Sequence, residues 1–416
     1  MTITTEIPGI PDLADPETFR AGVPHDVYDT LRSRPGLVWQ PADTGTLTGG
    51  FWLLTRYDEI ADVLQDAETY SSRLGAVYPL LNPTGDNLMS KHVLFMDPPE
   101  HSRVRRAAAK SFGPRVVANF ETWIREVVVE TLDDALKSDE FDWVEAVARY
   151  IPARVIARIL GVPVDQRSYI VNTTNDIFEA QALNDGGAKF TEEMMNVGEY
   201  MTRLGHEKLV NPGDDMTTVL AKSLDEGDID SLEYQLYTAS LLTAGFETTH
   251  TTIAHIGHLL ATRPEIREAS NRALNEGRSA ELVDEFLRYI TPAMRFVRVA
   301  KRDTEIGGQA IKENDMLMVV FSAANRDPSA FPRPNEFDPF RSEPKPAAGT
   351  GGAGLSFGAG PHRCVGHMLA KLELRILLEE MHSRRIALQM NGKAERGLSG
   401  VVNTLVKVPV SVEIGL

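Results

Sequence analysis

The sequence predicts a mainly α-helical protein with small β-sheets, and three observations support this fold class. No proline interrupts the chain between Pro212 and Pro264, and Ser231 to Arg263 has the pattern of one long helix. Apolar residues occur nearly all round this helix, which predicts that it is buried in the middle of the protein. Residues 114–161 also have a helical pattern, in two or three pieces, whereas the strand-like runs are short.

The predicted strands lie in the first and last thirds of the chain. Phe51 to Tyr57 is aromatic and apolar enough for a strand, and Tyr57 to Gln65 continues as a helix with apolar residues at helical spacing. Strand character returns at Met294–Ala300 and at Leu317–Phe321. The tail from Thr404 to Val412 alternates apolar and polar residues, as a half-buried strand does.

Charge and cysteine content exclude several classes of protein. The 416 residues contain 43 Lys and Arg against 59 Asp and Glu, a net charge of −16, whereas a general nucleic-acid binder carries a basic footprint. One cysteine cannot build a disulfide framework, a multi-cysteine zinc module or a four-thiolate iron–sulfur site within the chain. The amino terminus lacks the basic start and apolar stretch of a signal peptide, and no run of about 20 apolar residues predicts a membrane span. We therefore expect a soluble, cytoplasmic protein that binds neither nucleic acid nor membrane, with a single domain over residues 1–416.

The single cysteine lies in a glycine-rich loop, Leu355 to Ala370, at the start of a helical run. Cys364 is thus predicted beside a helix amino terminus and next to Arg363, and both the helix dipole and the cation favour a thiolate. The glycines let the backbone approach a flat ligand, and Phe357 can cover the sulfur with its aromatic face. Three interpretations of the thiol remain open at this point: an inert buried side chain, a nucleophile with His362 as its base, or a thiolate ligand of a metal.

The loop resembles the signature of the cytochrome P450 family, Phe-x-x-Gly-x-x-x-Cys-x-Gly, which is matched by Phe357, Gly360, Cys364 and Gly366. The resemblance implies the cytochrome P450 fold, in which a long central helix lies over the haem. It further implies that Cys364 is the axial ligand of the iron in haem b, and that Phe357, Gly358 and Gly366 lie around this cofactor.

A second motif, Ala244-Gly-Phe-Glu-Thr-Thr249, lies near the middle of the long helix. A carboxylate at Glu247 is costly to bury inside an apolar run without a purpose. Gly245 opens space above a flat cofactor, and Thr248 can bond back to the Ala244 carbonyl and bend the helix. The motif resembles the acid–alcohol pair of the same family. The resemblance implies that Thr248 and Glu247 are catalytic, Thr248 by steadying activated oxygen and Glu247 by relaying protons, and that the two small residues before them adjoin the haem.

A third motif, Glu285-Phe-Leu-Arg288, places a carboxylate and a guanidinium three residues apart on one helix face. Taken alone the spacing is a weak signal, because surface pairs of this kind are common. Its place about 80 residues before the cysteine loop resembles the family's Glu-x-x-Arg motif, and Arg341 resembles the third member of that cluster. The resemblance implies that these three side chains lock the core on the cysteine side.

Asp97 and the two prolines after it have the pattern of a capped helix start, with Asp97 as the cap and proline in the first turn. His101 and Arg105 follow four residues apart, on one face of this helix. The resemblance implies that both bind haem propionates, for which the charge-assisted hydrogen bonds of a guanidinium are well suited. Arg298 and His362 occupy the family's other two propionate positions.

The motifs occur in the family's order and cover almost the whole chain. The resemblance implies a haem-thiolate monooxygenase that inserts one atom of O2 into a small apolar substrate and reduces the other atom to water. Electrons are expected from NAD(P)H through a ferredoxin reductase and a ferredoxin, and the enzyme is expected to be a monomer. Two alternatives remain. A peroxide-driven peroxygenase would normally lack the acid–alcohol pair, and a haem sensor or carrier would need neither a proton relay nor a partner surface.

Ferredoxins of this kind are acidic, so a net charge of −16 requires that positive charge be concentrated on one face of the protein. We expect a basic partner surface because several cations belong to segments that the resemblance places on the cysteine side of the haem. These cations are Arg103, Arg106, Lys110, Arg115, Arg363 and Lys371.

The segment from Leu74 to Val93 is expected to roof the substrate pocket. The residues expected to line the pocket are Val77, Leu81, Leu88, Leu241, Ala244, Phe296, Val297 and Val401. Such a lining favours an apolar molecule, such as a terpenoid, steroid, fatty acid or aromatic compound, without choosing among them.

Two further patterns receive no function. Gly349 to Gly354 matches the dinucleotide fingerprint G-x-G-x-x-G, but it follows a proline-rich loop rather than a strand and predicts a flexible turn. His250, His255 and His258 on the long helix lack the spacing of a zinc site, and we interpret them as ordinary helix residues.

Overall fold

The structure is a computed structural model, and it describes residues 10–415 except 44, 82–87, 171, 174–187 and 342–349. The described residues are mainly helical with small sheets, so the predicted fold class is confirmed. The chain forms two compact units, each assembled from separate segments. The first unit comprises Met1–His101, Glu281–Cys364 and Arg396–Thr404, and the second comprises Ser102–Ala280, Val365–Glu395 and Leu405–Leu416.

The helices of the described residues follow the local hydrophobic periodicity closely. In chain order they are α1 (His25–Arg32), α2 (Tyr57–Gln65), α3 (Glu100–Ala109), α4 (Pro114–Ala118), α5 (Glu121–Ala135), α6 (Tyr150–Ile159), α7 (Ala188–Val210), α8 (Met216–Asp225), α9 (Ser231–Thr262), α10 (Pro264–Asn275), α11 (Ser279–Ile290), α12 (Phe321–Ala324) and α13 (His367–Ser383). The predicted bounds of α2 are confirmed, and the predicted long helix is present as α9. Within these described ranges, no helix combines the length and hydropathy needed to cross a bilayer.

The strands are short, as predicted. In chain order they are β1 (Val38–Pro41), β2 (Gly50–Leu54), β3 (Tyr70–Ser71), β4 (Gly75–Val77), β5 (Leu80–Leu81), β6 (Glu140–Asp142), β7 (Arg295–Ala300), β8 (Thr304–Ile306), β9 (Gln309–Ile311), β10 (Met316–Val320), β11 (Ile386–Met390), β12 (Glu395–Arg396), β13 (Leu405–Lys407) and β14 (Pro409–Ile414). The strands predicted in the first third, around residue 297 and around residue 319 are present as β2, β7 and β10, and the predicted tail strand forms β13 and β14.

A five-stranded sheet in the order β1-β2-β10-β7-β3 is the framework of the first unit. Strands β2 and β10 are parallel, and the other neighbours are antiparallel. Because side chains alternate across a strand, the two faces of the sheet contribute to two buried clusters. In β7, Val297 and Val299 belong to the cluster that contains Leu13 and Phe19, whereas Phe296 packs against the cluster that contains the α2 side chains.

Helix α9 belongs to the second unit and is buried along most of its length. It begins with a capping box, in which the Asp230 carboxylate accepts from Glu233 N and the Glu233 carboxylate accepts from Asp230 N, each at 2.9 Å. Arg103 of α3 donates to both oxygens of the Glu233 carboxylate, at 2.6 and 2.9 Å. The first turn of the helix is therefore fixed to α3 by a paired and buried charge.

Helix α6 packs along the middle of α9. A Cβ atom on Gly245 would lie only 3.2 Å from Ile156 Cδ1, and Phe246 shares a buried cluster with Ala153. The close approach of α6 thus explains why a glycine is favoured at position 245. This adds to the reason inferred from the sequence, which was space for a flat cofactor.

A three-stranded sheet, β11-β14-β6, fastens the end of the chain to the same unit. Trp143 follows β6 directly and is fully buried, and its Nε1 donates to the Ile253 carbonyl of α9 at 2.9 Å. A Cβ atom on Gly257 would collide with the indole, so a glycine at this point of α9 makes room for the ring.

The helix that carries His101 starts at Glu100, later than the predicted cap requires. The Asp97 carboxylate instead accepts hydrogen bonds from Ser71 Oγ at 2.6 Å and from Ser72 N at 2.8 Å. The prediction of a side-chain cap at Asp97 is wrong because donors from a distant part of the sequence take up the carboxylate.

Candidate active site

Cys364 lies on an exposed turn between the 3-10 helix Gly360–His362 and the start of α13 at His367. Its N–H donates to the Phe357 carbonyl at 2.8 Å, which closes the loop. The predicted position of the thiol, just before a helix, is therefore present. Its exposure argues against an inert buried cysteine and leaves the nucleophile and the metal ligand as interpretations.

Two glycines give the cysteine loop its shape. Gly358 and Gly360 both have φ of 65°, in the left-handed region that favours glycine. A Cβ atom on Gly360 would in addition collide with the carbonyl oxygen of Leu64, near the end of α2. The sequence suggested that these glycines let backbone approach a ligand, whereas the described close approach at Gly360 is to the protein's own α2.

Two candidate propionate ligands, His101 and His362, lie together in the first unit. Their ring centroids are 4.0 Å apart, with the planes tilted by 37°. His362 Nε2 lies 3.0 Å from the Met96 carbonyl, which accepts a hydrogen bond in the tautomer that carries the proton on Nε2. Met96 had no recognisable signal in the sequence, because a backbone carbonyl acts independently of its side chain.

Arg298, the third candidate, lies on β7 and is 6% exposed. Burial lowers the pKa of its guanidinium to about 10. Among the described residues its hydrogen bond is the one from Nη1 to the Val297 carbonyl, at 2.7 Å. A guanidinium has five N–H donors, so this buried cation retains donors for an anionic group.

Arg105, the fourth candidate, belongs to the second unit, on α3. Its side chain is half-buried, and its carbonyl accepts from the Tyr237 hydroxyl at 3.4 Å. The structure therefore brings His101 and His362 into contact, while Arg105 is placed by a separate interaction with α9.

The acid–alcohol motif lies midway along α9. Thr248 Oγ1 donates to the Ala244 carbonyl at 3.1 Å, which confirms the predicted bond across one helical turn. Ala244 is exposed although most of α9 is buried. Glu247 is half-buried, and burial of its carboxyl raises the pKa to about 8, so it carries a proton over most of the neutral range.

The expected ion pairs of Glu285, Arg288 and Arg341 are present and buried. Arg288 donates to both oxygens of Glu285 at 2.7 Å, and Arg341 Nε lies 3.3 Å from Glu285 Oε1. Arg288 also donates to the carbonyls of Asn325 and Pro334. Because these charges are out of water, loss of one partner typically costs about 3–5 kcal/mol.

The predicted pocket residues have mixed positions. Val77, Phe296 and Val401 are half-buried, whereas Leu241 is buried on α9. Val297 is 1% exposed and packs inside a core cluster, so its assignment to the pocket lining is wrong. The cause is strand alternation, which turns Val297 to the opposite face of β7 from Phe296. The side chains of Leu81 and Leu88 lie outside the described part of the molecule, as do residues 82–87 of the expected roof.

These residues fit a haem with a thiolate ligand. Cys364 offers an exposed sulfur next to a helix, and Arg298 offers a buried cation whose donors suit a propionate. His101 and His362 add two imidazole rings, 4.0 Å apart, within the same unit.

Comparison with known proteins identifies the family. The chain is 32% identical over 402 residues to cytochrome P450 126 of Mycobacterium tuberculosis, and the match covers 92% of each protein. The chain belongs to the cytochrome P450 family. The family model described as cytochrome P450 matches residues 201–384 of this P450, a range that includes the acid–alcohol motif and Cys364.

Two further comparisons cover nearly the whole of this P450. Linalool 8-monooxygenase of Pseudomonas putida is 28% identical over 95% of this chain and 97% of its own. The crystal structure of CYP108D1 from Novosphingobium aromaticivorans is 28% identical and superposes with a TM-score of 0.83, covering 98% of this chain and 100% of that one. This P450 is thus an oxygen-incorporating oxidoreductase of a family that carries haem iron, uses redox partners and acts on small molecules.

Proposed function

We propose that this P450 inserts one atom of O2 into a small apolar substrate, with electrons delivered from NAD(P)H through a ferredoxin reductase and a ferredoxin. The observation that carries the proposal is the acid–alcohol pair, Glu247 and Thr248, on a helix turn whose Ala244 is exposed. A proton donor at this place serves the reduction of O2, whereas a peroxide-driven enzyme or a haem carrier has no use for it.

Haem b is the cofactor in this proposal, and the Cys364 thiolate would bind its iron. His101, Arg105, Arg298 and His362 hold its propionates through charge-assisted hydrogen bonds. When bound, a thiolate-ligated haem supplies the electron density that favours cleavage of the O–O bond. We propose that the whole chain, residues 1–416, acts as one haem-binding domain, since both units are built from interleaved segments.

Glu247 and Thr248 are proposed to manage protons. The Thr248 hydroxyl donates a hydrogen bond to the Ala244 carbonyl at 3.1 Å. During the reaction the hydroxyl can rotate and donate instead to an acceptor on the substrate side. Glu247 holds a proton near neutral pH because burial raises its pKa to about 8, so it can donate that proton and take up another.

Turnover assays distinguish this proposal from its two alternatives. We expect product with NADH, ferredoxin and reductase, and far less with hydrogen peroxide alone. Product formation from peroxide alone, at the same rate, would instead establish a peroxygenase, and absence of product under both conditions would favour a haem sensor or carrier. The reduced, CO-bound protein should show the red-shifted Soret band of thiolate ligation, and its absence in Cys364→Ser provides the control.

Thr248→Ala tests the proton role directly. Loss of the hydroxyl should divert electrons to hydrogen peroxide, so that the ratio of product to NADH consumed falls about tenfold or more. Thr252→Ala is a matched control, since Thr252 Oγ1 bonds the Thr248 carbonyl one turn further along α9. Unchanged coupling in Thr248→Ala would contradict the role.

The substrate is proposed to be apolar, because the half-buried Val77, Phe296 and Val401 offer apolar surface. The relative named linalool 8-monooxygenase supports terpenoids as the first class to screen. Binding of a substrate beside the haem should shift the Soret band of the loaded enzyme. A series in which only charged compounds produce the shift would contradict an apolar substrate.

A further inference from the structure

Polar side chains of the second unit form a path from the surface toward Glu247. The path consists of Glu145, Arg149, His250 and Glu247. Glu145 is 55% exposed and lies 3.0 Å from the Arg149 guanidinium, which is itself 22% exposed. The π-helical segment Val144–Ala148 immediately before α6 carries Glu145, and such wide turns often occur at functional sites.

The packing of α6 against α9 brings Arg149 and His250 close to each other. Ile156 faces Gly245, and Ala153 contacts Phe246, so the two helices run past each other in opposite directions. Going about one further turn along each helix leads from Ala153 to Arg149 and from Phe246 to His250. The charge of Arg149 acts on the imidazole, since burial first and Arg149 second lower the pKa of His250 to about 3.

His250 and Glu247 lie three residues apart on one face of α9, which places their side chains side by side. The His250 ring is parallel to the Phe246 ring, with an angle of 1° and centroids 5.5 Å apart. This stacking fixes the plane of the imidazole. The ring is therefore held three residues from the carboxyl group that donates protons, within reach of the charge of Arg149.

We propose that His250 passes protons from Glu145 at the surface to Glu247, and so refills the proton donor of the reaction. The inference rests on the proposed function of Glu247. It assigns a role to a histidine that the sequence alone classified as an ordinary helix residue.

One proton moves in each transfer, and no electron moves. Glu145 takes a proton from bulk water and passes it, through an intervening water, to the unprotonated ring nitrogen of His250. The other ring nitrogen releases its proton to the Glu247 carboxylate, which leaves the imidazole neutral in the opposite tautomer. Exchange of the ring proton through water, by loss from one nitrogen and gain at the other, restores the first tautomer before the next transfer.

Arg149 has a positioning role in this path. A guanidinium does not give up its proton in a protein, so Arg149 cannot relay protons itself. It holds Glu145 by the ion pair, and its charge disfavours a long-lived imidazolium at His250. Protons therefore pass His250 without being retained there.

The experiment measures how fast Glu247 regains its proton in the haem-loaded enzyme. The infrared band of the protonated Glu247 carboxyl, identified by its loss in Glu247→Gln, is followed after a rapid drop in pH. His250→Phe keeps an aromatic ring to stack on Phe246 and removes both nitrogens. His255→Phe is the matched control, since His255 is also buried on α9 but lies more than one turn further along.

We expect protonation of Glu247 to slow by about tenfold in His250→Phe and to remain unchanged in His255→Phe. The solvent deuterium isotope effect on turnover should rise in the same variant. An unchanged protonation rate in His250→Phe would overturn the proposal. So would equal slowing in His255→Phe, because that result would reflect general distortion of α9.

A surface variant keeps the proposal testable if His250→Phe does not fold. Glu145→Gln removes the proton acceptor at an exposed position, with Glu130→Gln, 66% exposed on α5, as its control. Slowing by several fold in Glu145→Gln alone supports the path, and equal rates in both variants contradict it. Failure of the proposed function has a different signature, because Glu247→Gln would then leave coupling of electrons to product unchanged.

Discussion

Burial shifts the pKa values of two side chains, Glu247 and Arg298, in opposite directions. Burial raises the pKa of Glu247 to about 8 and so favours the neutral carboxylic acid. Burial lowers the pKa of Arg298 to about 10, but the guanidinium remains charged at neutral pH. The carboxyl group therefore serves as a proton store and the guanidinium as a fixed positive charge. The sequence could not distinguish these outcomes, since it shows a charged residue in an apolar run but not its degree of burial.

The stability of Glu247→Gln relative to the wild type should increase as pH rises. Folded Glu247 binds a proton with a pKa of about 8, whereas the unfolded chain binds it with a pKa near 4.5, so the wild type loses stability as pH rises from about 5 to 8. The variant lacks this loss, so its free energy of unfolding should exceed that of the wild type by about 1–3 kcal/mol above pH 8. This is less than the whole pKa shift would give, because the side chain is only half-buried.

Urea unfolding at pH 5, 7 and 9 measures this difference. Glu126→Gln, an exposed carboxyl on α5 at 62% exposure, should show little pH-dependent difference from the wild type. A constant offset for Glu247→Gln across the three pH values would contradict the raised pKa.

Arg298→Leu should weaken retention of the haem. The variant removes the buried guanidinium whose described hydrogen bond reaches only the Val297 carbonyl, and with it the charge-assisted bonds to a propionate. Loss of haem to an excess of an acceptor protein should be about tenfold faster, as expected for about 1.5 kcal/mol. Arg295→Leu is the control, because Arg295 is equally buried on β7 but stacks over Phe19 on the other face of the strand. Equal haem loss in both variants would argue against the propionate role.

At the scale of elements, the sequence predicted structure best where the signal is local. The bounds of α2 and the course of α9 follow from periodicity and from the absence of proline, both of which act within one segment. The cap at Asp97 was not predictable, since the donors that reach its carboxylate are Ser71 of β3 and Ser72 just after that strand. Val297 was assigned to the wrong face because β7 is buried on both sides, and such a strand has no polar face to mark its orientation.

Gly360→Ala should displace the cysteine loop. Alanine at a φ of 65° is strained by about 1–2 kcal/mol, and its Cβ would also collide with the Leu64 carbonyl. Gly351→Ala provides a matched control, since Gly351 has a φ of 69° and no atom within 4 Å of the added Cβ. We expect both variants to lose stability in urea, and only Gly360→Ala to lose the thiolate-type spectrum of the CO complex. Intact spectra in both variants would show that the loop tolerates the displacement.

At the scale of the whole molecule, a net charge of −16 must be reconciled with a basic partner surface for an acidic ferredoxin. Arg106 and Arg115 are exposed, whereas Arg103, also expected on the partner surface, is paired with Glu233 at 2.6 Å. The side chain of Lys110 lies outside the described part of the molecule. Arg363 and Lys371, the other two expected members, are half-buried. The proposed ferredoxin surface therefore depends chiefly on the exposed Arg106 and Arg115.

Reversal of charge at both positions, Arg106→Glu with Arg115→Glu, should weaken ferredoxin binding by about tenfold at low salt and flatten its dependence on salt. Lys137→Glu with Lys312→Glu, at cations that are 76% and 70% exposed, changes the net charge by the same amount and is the control for total charge. Titration of the reduced ferredoxin at several ionic strengths gives both quantities. If all variants keep the affinity and salt dependence of the wild type, the ferredoxin binds elsewhere.

The interleaving of the two units has a consequence for biosynthesis. The first unit requires a segment that ends at Thr404, and the second requires strand β14, which ends at Ile414. In the second unit β14 (Pro409–Ile414) lies between β6 and β11, so β6, which is made early, waits for a partner that follows much later in the sequence. The first unit cannot close before Thr404 has been made, and the sheet of the second cannot close before β14 has been made, so chaperones meet a chain whose two cores both stay incomplete until then.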